Sequence, residues 1–333
     1  MPRNSTRKIS VIGAGAWGTT LCILLQEKGY ALTLWAYEKE LVDQMKEFRE
    51  NKLYLPGFQL PESIQITGEI EECKGSEIFI FAVPTQFLRK AAVQFKKIVG
   101  SRAIVVSVSK GIEDKTLKLP QEILKEELKV KNLAVLCGPN LSREIARGLP
   151  AATVVASKDM GIAKSIQELF TLERFRVYTN SDPLGVQLGG ALKNIIAIAA
   201  GVADGLELGN NATASLMIRG IAEITRLGSA MGADPRTFAG LSGMGDLIAT
   251  CSSKLSRNHQ VGEQLARGKK LSQVRESMKH VAEGVITTRA ALALGEKYGV
   301  ELPVAREVYQ VLYQGKDPYR SISDLMTRSV TSE

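Results

Sequence analysis

The sequence predicts an α/β protein with a Rossmann-type, mostly parallel sheet in its first part and a second, all-α domain. Short apolar, β-branched runs alternate with amphipathic segments as far as residue 182, and helical periodicity replaces them from residue 183. Continuous apolar strands separated by helices are typical of a parallel sheet that is covered on both faces. We therefore place the boundary between two domains, 1–182 and 183–333.

The strands are predicted first, and the helices follow from the intervals between them. The apolar runs that we interpret as strands are 8–13, 31–37, 77–83, 103–109, 133–137, 152–157 and 175–179. Two of the intervals, 85–98 and 119–128, are amphipathic enough for helices. In the second domain the helical segments are 183–203, 213–231, 258–267, 284–298 and 303–314, and a polar loop is expected over 241–258.

Composition limits the class of partner. The net charge is +8, but 43 Lys and Arg are interleaved with 35 Asp and Glu and form no long basic run. This pattern indicates a solvated surface, or a cleft that attracts a small anion, and not a nucleic-acid partner. The four cysteines lie far apart and form no C-x-x-C pair, which argues against a disulfide framework or a metal site and fits the cytoplasm.

Two stretches imitate membrane-targeting segments. The basic start "MPRNSTRKIS" precedes an apolar run, yet no convincing cleavage site follows. Residues around Lys193 have about the length of a membrane span, but Gln187, Asn194 and several glycines interrupt them. We expect no integral membrane segment.

A glycine motif follows the first strand. Gly13, Gly15 and Gly18 in "GAGAWG" have the G-x-G-x-x-G spacing, with a helix after them and a second strand that ends near Glu38. This context predicts dinucleotide binding in the first domain. Glu38 would favour NAD by accepting from a ribose hydroxyl, whereas the neighbouring Lys39 could pair with a 2′-phosphate, so both cofactors stay open.

Two later strand ends carry candidate ligands. Lys110 stands in "SKG" and Asn140 in "GPN", at the sheet edge where ligands bind in such folds. The alternative for Lys110 is a solvated loop lysine, and the alternative for Asn140 is a plain turn residue.

Lys193 is the candidate acid–base group. It lies among apolar residues of a predicted buried helix, where burial lowers the pKa of an ammonium group and allows proton exchange near neutral pH. The alternative is a structural ion pair with an acid such as Asp246. With the lysine as the acid–base group, we expect Lys193→Met to leave the fold intact or even to raise the melting temperature, because an ionisable group no longer has to be desolvated.

Further polar residues accompany the predicted loop. Arg257 offers a planar fork for a phosphate or carboxylate, and Ser256 either joins it or caps the next helix. Glu283 is most simply a first-turn acid that complements a helix dipole.

Five segments together resemble the NAD(P)-dependent glycerol-3-phosphate dehydrogenase family, the bacterial type in particular. They are "VIGAGAWGTTL", "FAVPT", "SKGI", "GGALKNIIAIAAG" and "LSGMGDLIATC" with "SRN" after it, and the similarity covers essentially the whole chain. The resemblance implies reversible reduction of dihydroxyacetone phosphate to sn-glycerol 3-phosphate for phospholipid synthesis. It also implies a cytoplasmic homodimer and tilts the cofactor prediction to NADP, with NAD as the alternative.

The resemblance also assigns residues. It makes Lys193 the proton acceptor of the oxidation direction, with Asp246 as its catalytic partner. To the glycerol phosphate it assigns Lys110, Gly138, Asn140, Lys193, Asp246, Ser256, Arg257 and Asn258. To the cofactor, besides the glycine turn, it assigns Ala16, Trp17, Tyr37, Lys110, Ser142, Arg257, Val281 and Glu283. The chain departs from the family at "GPNLS", where the family usually has Phe-Ala after a small residue.

Two other functions fit the residues. One is a two-domain Rossmann dehydrogenase that acts on a β-hydroxy acid, and the other is a non-catalytic regulator that senses NAD(P). Arg257 favours a phosphate over a carboxylate, and a sensor has no need of the Lys193–Asp246 combination.

Overall fold

A computed structural model describes residues 7–278 and 282–327. The chain divides into two compact units, one of residues 1–110 and 119–183, the other of residues 111–118 and 184–333. The short segment 111–118 therefore groups with the second unit, which a single cut after residue 182 does not anticipate.

The first unit is built on an eight-stranded sheet in the order β3-β2-β1-β4-β5-β6-β7-β8. All neighbouring strands are parallel except β6 and β7. The strands are β1 Lys8–Ile12, β2 Ala31–Trp35, β3 Ile64–Thr67, β4 Ile78–Phe81, β5 Ile104–Ser107, β6 Leu133–Cys137, β7 Ala151–Ala156 and β8 Phe175–Asn180. Only β3 was not predicted among these strands, because the exposed Gln65 in its middle breaks the continuous apolar run that marks the others.

Helices cover this sheet on both faces. They are α1 Ala16–Gln26, α2 Lys39–Phe48, α3 Thr85–Phe95, α4 Pro120–Leu128, α5 Ser142–Ala146 and α6 Met160–Phe170. Alternate residues of β1 enter different cores, since Val11 belongs to one apolar cluster and Ile12 to the other. This two-sided burial is the reason that the strands read as continuous apolar runs. The predicted fold class is confirmed.

The regular secondary structure in the described part of the second unit is helical. Its helices are α7 Pro183–Gly205, α8 Gly209–Ala230, α9 Pro235–Phe238, α10 Asp246–Ser252, α11 Arg257–Ala266, α12 Leu271–Ser277, α13 Glu283–Tyr298, α14 Pro303–Tyr313 and α15 Pro318–Met326. A π-helical turn, Leu241–Gly245, leads into α10. The expected polar loop over 241–258 is therefore wrong, because most of it is helical.

The glycines in that stretch suggest a loop, but in the structure they allow close packing against a neighbouring backbone. A Cβ atom at Gly243 would lie 2.1 Å from the carbonyl oxygen of Phe238, so no larger side chain fits. Close packing against a neighbouring backbone overrides the low helix propensity of glycine.

Helix α7 is long and apolar enough to cross a membrane by length and composition, but its most apolar window is entirely buried in the folded chain. Glycines along α7 allow the backbone of neighbouring segments to approach the helix closely. A Cβ atom at Gly189 would lie 2.6 Å from the carbonyl oxygen of Ser242, and one at Gly201 would lie 2.0 Å from that of His259. The helix is thus held at two levels by close contacts, which fix the position of Lys193 between them.

Candidate active site

The glycine turn between β1 and α1 has the shape that a dinucleotide requires. Gly13 has a φ of 108°, and a Cβ there would lie 2.7 Å from the carbonyl oxygen of Ala82. A Cβ at Gly18 would lie 2.0 Å from the carbonyl oxygen of Gly13, whereas the Cβ position of Gly15 has no atom within 4 Å. The open side at Gly15 and the N-terminus of α1 at Ala16 fit a pyrophosphate.

Asn51 supports this turn from behind. Its amide nitrogen donates to the carbonyl oxygen of Ala14 at 2.7 Å and to the Thr19 hydroxyl at 2.8 Å. Its amide oxygen accepts from the backbone N–H of Tyr54 at 3.0 Å. Asn51 is completely buried. Sequence reasoning missed it because it lies in a loop outside every periodic segment.

The end of β2 carries three polar side chains. Tyr37 is 62% exposed, and its ring meets the buried Trp35 edge to face at 6.4 Å between centroids. Glu38 precedes α2, and one of its carboxylate oxygens accepts from the Tyr54 hydroxyl at 3.4 Å. Lys39 is the first residue of α2.

Two predicted substrate residues meet after β5 and β6. Lys110 Nζ donates to the carbonyl oxygen of Gly138 at 2.8 Å. Gly138 has no room for a side chain, since a Cβ there would lie 2.9 Å from the Thr153 Cα. Asn140 donates to the Thr153 hydroxyl at 3.1 Å, and its own amide oxygen is buried without a hydrogen-bond partner among the described residues. That oxygen is an acceptor suited to a ligand hydroxyl.

The remaining predicted cofactor residues of the first unit lie at the starts of α1 and α5. Ala16 opens the helix, and Trp17 packs on Phe175 with 6.5 Å between ring centroids. Ser142 opens α5, and its carbonyl oxygen accepts from the Thr20 hydroxyl of α1 at 3.3 Å.

The second unit holds the predicted acid–base group. Lys193 is 5% exposed and Asp246 is 1% exposed. Lys193 Nζ donates to Asp246 Oδ1 at 2.5 Å and also to the hydroxyl of Thr250. Asp246 and Thr250 are one turn apart on α10, so both point at the same ammonium group. Thr250 carries no charge, and its place in the predicted loop gave no sign of this contact.

The surroundings of this pair are dry. Burial raises the pKa of the neighbouring Cys251 thiol to about 12, and the positive charge of Lys193 opposes the rise. Cys251 therefore stays a protonated, inert thiol behind the pair. In such surroundings an ion pair interacts more strongly than at a surface.

The N-termini of α11 and α13 meet beside the predicted phosphate residues. Ser256 caps α11 by accepting from the backbone N–H of His259 at 3.3 Å, as one interpretation of the sequence predicted. Arg257 is the exposed first residue of that helix. Asn258 Oδ1 accepts from the Gly284 N–H at 3.0 Å, next to Glu283 at the start of α13. Val281 lies outside the described residues.

A histidine ties α11 to α7. His259 Nε2 lies 2.7 Å from Asp204 Oδ2, and His259 is buried. Together with the close contact at Gly201, this pair fixes the helix that begins with Arg257 against the helix that carries Lys193. Within residues 7–278 and 282–327, no group of three or more His, Cys, Asp or Glu side chains could hold a metal ion.

Comparison with known proteins identifies the family to which these features belong. Residues 8–163 match the N-terminal and residues 182–323 the C-terminal profile of NAD-dependent glycerol-3-phosphate dehydrogenase. An NAD(P)+ glycerol-3-phosphate dehydrogenase of Geobacter sp. (strain M21) is 49% identical over 330 residues, which are 98% of each chain. The chain belongs to the NAD-dependent glycerol-3-phosphate dehydrogenase family.

Solved structures of glycerol-3-phosphate dehydrogenases agree. That of Coxiella burnetii superposes with a TM-score of 0.94 at 35% identity and covers 97% of this chain and 99% of its own. The structure from Saccharomyces cerevisiae superposes with a TM-score of 0.83 at 29% identity and covers 97% of this chain and 100% of its own. The family resemblance predicted from the motifs is thus confirmed, with an NAD(P) cofactor, whereas the individual site residues stay predictions.

Proposed function

We propose that this chain catalyses the reversible reduction of dihydroxyacetone phosphate to sn-glycerol 3-phosphate with NAD(P)H and supplies glycerol phosphate for phospholipid synthesis. The observation that carries the proposal is the buried Lys193–Asp246 pair, with Thr250 on the same ammonium group, in a member of this family. A buried ion pair contributes little to stability by itself, so a chemical role accounts for it better.

The bound cofactor supplies a hydride to the carbonyl carbon, and the protein must handle the proton at the oxygen. Lys193 donates that proton during reduction and accepts it during oxidation. Burial among apolar residues disfavours the ammonium form, whereas Asp246 favours it. Asp246 and Thr250 also hold the nitrogen in one place, which keeps the proton donor aligned with the reacting oxygen.

The phosphate of the substrate is assigned to the start of α11. Arg257 provides a bidentate, charge-assisted contact, and the positive dipole end of the helix favours an anion. The full set proposed for the glycerol phosphate is Lys110, Gly138, Asn140, Lys193, Asp246, Ser256, Arg257 and Asn258. The set proposed for the cofactor is Gly13, Gly15, Ala16, Trp17, Gly18, Tyr37, Lys110, Ser142, Arg257, Val281 and Glu283.

A cytoplasmic homodimer is part of the proposal. All four cysteines are free and buried, which fits a reducing compartment. Size-exclusion chromatography with light scattering tests the dimer, because a monomer at micromolar concentration would contradict it.

The decisive experiment follows the loss of reduced-nicotinamide absorbance when dihydroxyacetone phosphate is added to the pure protein. We expect turnover with the parent and, because the proton donor is gone, very little with Lys193→Met. Lys297→Met, which removes an exposed lysine of α13, is the matched control and should behave like the parent.

The same assay separates the two other functions. Turnover of β-hydroxy acids without turnover of glycerol 3-phosphate would indicate the carboxylate-specific dehydrogenase. Tight cofactor binding without any turnover would indicate the regulator. Either result would overturn the proposal.

A further inference from the structure

Lys90 of α3 reaches the end of β2. Its Nζ atom lies 3.3 Å from the Tyr37 hydroxyl oxygen and 5.1 Å from the centroid of the Tyr37 ring. Sequence reasoning considered only Tyr37, Glu38 and Lys39 at this edge, because Lys90 is about fifty residues away in the chain. The fold thus adds a cation to the place where the sheet ends.

A buried tryptophan places the two side chains. The Trp35 indole donates to the carbonyl oxygen of Gly68 at 2.9 Å, and its ring meets Phe95 of α3 edge to face at 5.0 Å. Tyr37 also packs edge to face on the same indole. Because Trp35 ends β2 and packs on Phe95 of α3, it fixes the separation between Tyr37 and the helix that carries Lys90.

The charges at this edge favour a phosphate. Among the described residues, neither Lys39 nor Lys90 forms an ion pair with a carboxylate. Glu38, the acid that would accept from a ribose hydroxyl, instead has an oxygen occupied by the Tyr54 hydroxyl. In folds of this type, the group at the end of the second strand meets the 2′ position of the adenosine ribose, and a cation there accommodates a 2′-phosphate.

We propose that Lys90, beside the cofactor residue Tyr37, is a further specificity-determining residue that binds the 2′-phosphate of NADP and strengthens binding of NADP(H) relative to NAD(H). The ammonium group supplies charge, and the tyrosine hydroxyl donates a hydrogen bond. The inference rests on the proposed function only in assuming a nicotinamide dinucleotide as cofactor.

The test measures the dissociation constants of NADPH and NADH by fluorescence titration of the full chain without substrate. Lys90→Met should weaken NADPH binding by about tenfold, the scale of one charge-assisted hydrogen bond, and change NADH binding by less than about twofold. Lys90→Arg keeps the charge and should retain most of the NADPH affinity.

The control is Lys97→Met, which removes an exposed lysine with the same change in net charge just beyond the far end of α3. Lys90 would be an ordinary solvated lysine if Lys90→Met left both constants unchanged. Equal losses for both nucleotides, or the same loss with Lys97→Met, would also overturn the assignment. Failure of the proposed reaction would show separately, as binding of NADPH without reduction of dihydroxyacetone phosphate.

Discussion

Lys193 Nζ and Asp246 Oδ1 are 2.5 Å apart, and both side chains are almost fully buried. The apolar sequence around the lysine could not show this partner, which comes from a helix more than fifty residues later. The pair changes the expected effect of replacing the lysine, because Asp246 would stay buried and lose the cation that it pairs with.

We therefore expect Lys193→Met to lower kcat by about 100-fold or more, because the positioned proton donor is lost. We also expect it to destabilise the fold by about 3–5 kcal/mol. This replaces the sequence-based expectation of an unchanged or raised melting temperature, which counted only the desolvation of the lysine and not its ion pair with Asp246. Urea unfolding measures the loss, and the double variant Lys193→Met with Asp246→Asn should recover most of it without recovering turnover. Normal kcat in the folded single variant would contradict the acid–base role.

Arg257→Leu should raise the KM for dihydroxyacetone phosphate by about 10–100-fold, as expected for a lost charge-assisted contact. Activity on unphosphorylated dihydroxyacetone should fall much less. Arg267→Leu, at the other end of α11, is the control, since Arg267 pairs with Glu263. Equal losses on both substrates would mean that Arg257 does not recognise the phosphate.

Glu38→Ala and Lys39→Glu should shift cofactor preference in opposite directions, because the first removes a negative charge near the 2′ position and the second adds one. The measurement is the ratio of kcat/KM for NADPH to that for NADH. Lys46→Glu, in the last turn of α2, controls for net charge. If both variants kept the parent ratio within about twofold, these residues would not face the 2′ group.

Asn51→Ala should weaken NADH and NADPH binding alike, because it removes the amide that donates to the Ala14 carbonyl and accepts from the Tyr54 N–H. The free energy of unfolding should fall by about 1–3 kcal/mol. Asn132→Ala is the control, as Asn132 also donates to a backbone carbonyl, that of Arg102, in the same unit. A lower melting temperature with unchanged affinity for both nucleotides would make Asn51 purely structural.

Glu223 of α8 should stabilise the second unit without affecting catalysis. Its carboxylate is buried and accepts from the backbone N–H groups of Val304 at 2.6 Å and Ala305 at 3.3 Å, at the start of α14. Glu223→Ala should cost about 1–3 kcal/mol in urea unfolding, and Glu223→Gln less, because the amide keeps one acceptor. A loss of kcat/KM in the folded Glu223→Gln protein would contradict this assignment.

Local features of the sequence account for most of the fold. Seven strands were predicted from apolar runs, and most of them are buried on both faces, although β8 exposes Tyr178. The glycine spacing reflects two close backbone contacts, at Gly13 and Gly18, and one open side, at Gly15. The motifs at Lys193 and Arg257 also carried the family resemblance, because each is a continuous stretch of sequence.

The tertiary structure decided which side chains meet. Thr250 and Asp246 converge on Lys193, Asn51 holds the glycine turn, and Lys90 reaches Tyr37, all through packing between segments that are distant in the chain. It also made the glycine-containing stretch before Asp246 helical, because close contact with Phe238 outweighs propensity. The local pattern of apolar and polar residues indicates how deeply each segment is buried. Which side chains meet depends on how the segments pack against one another, and the sequence of a single segment does not determine that packing.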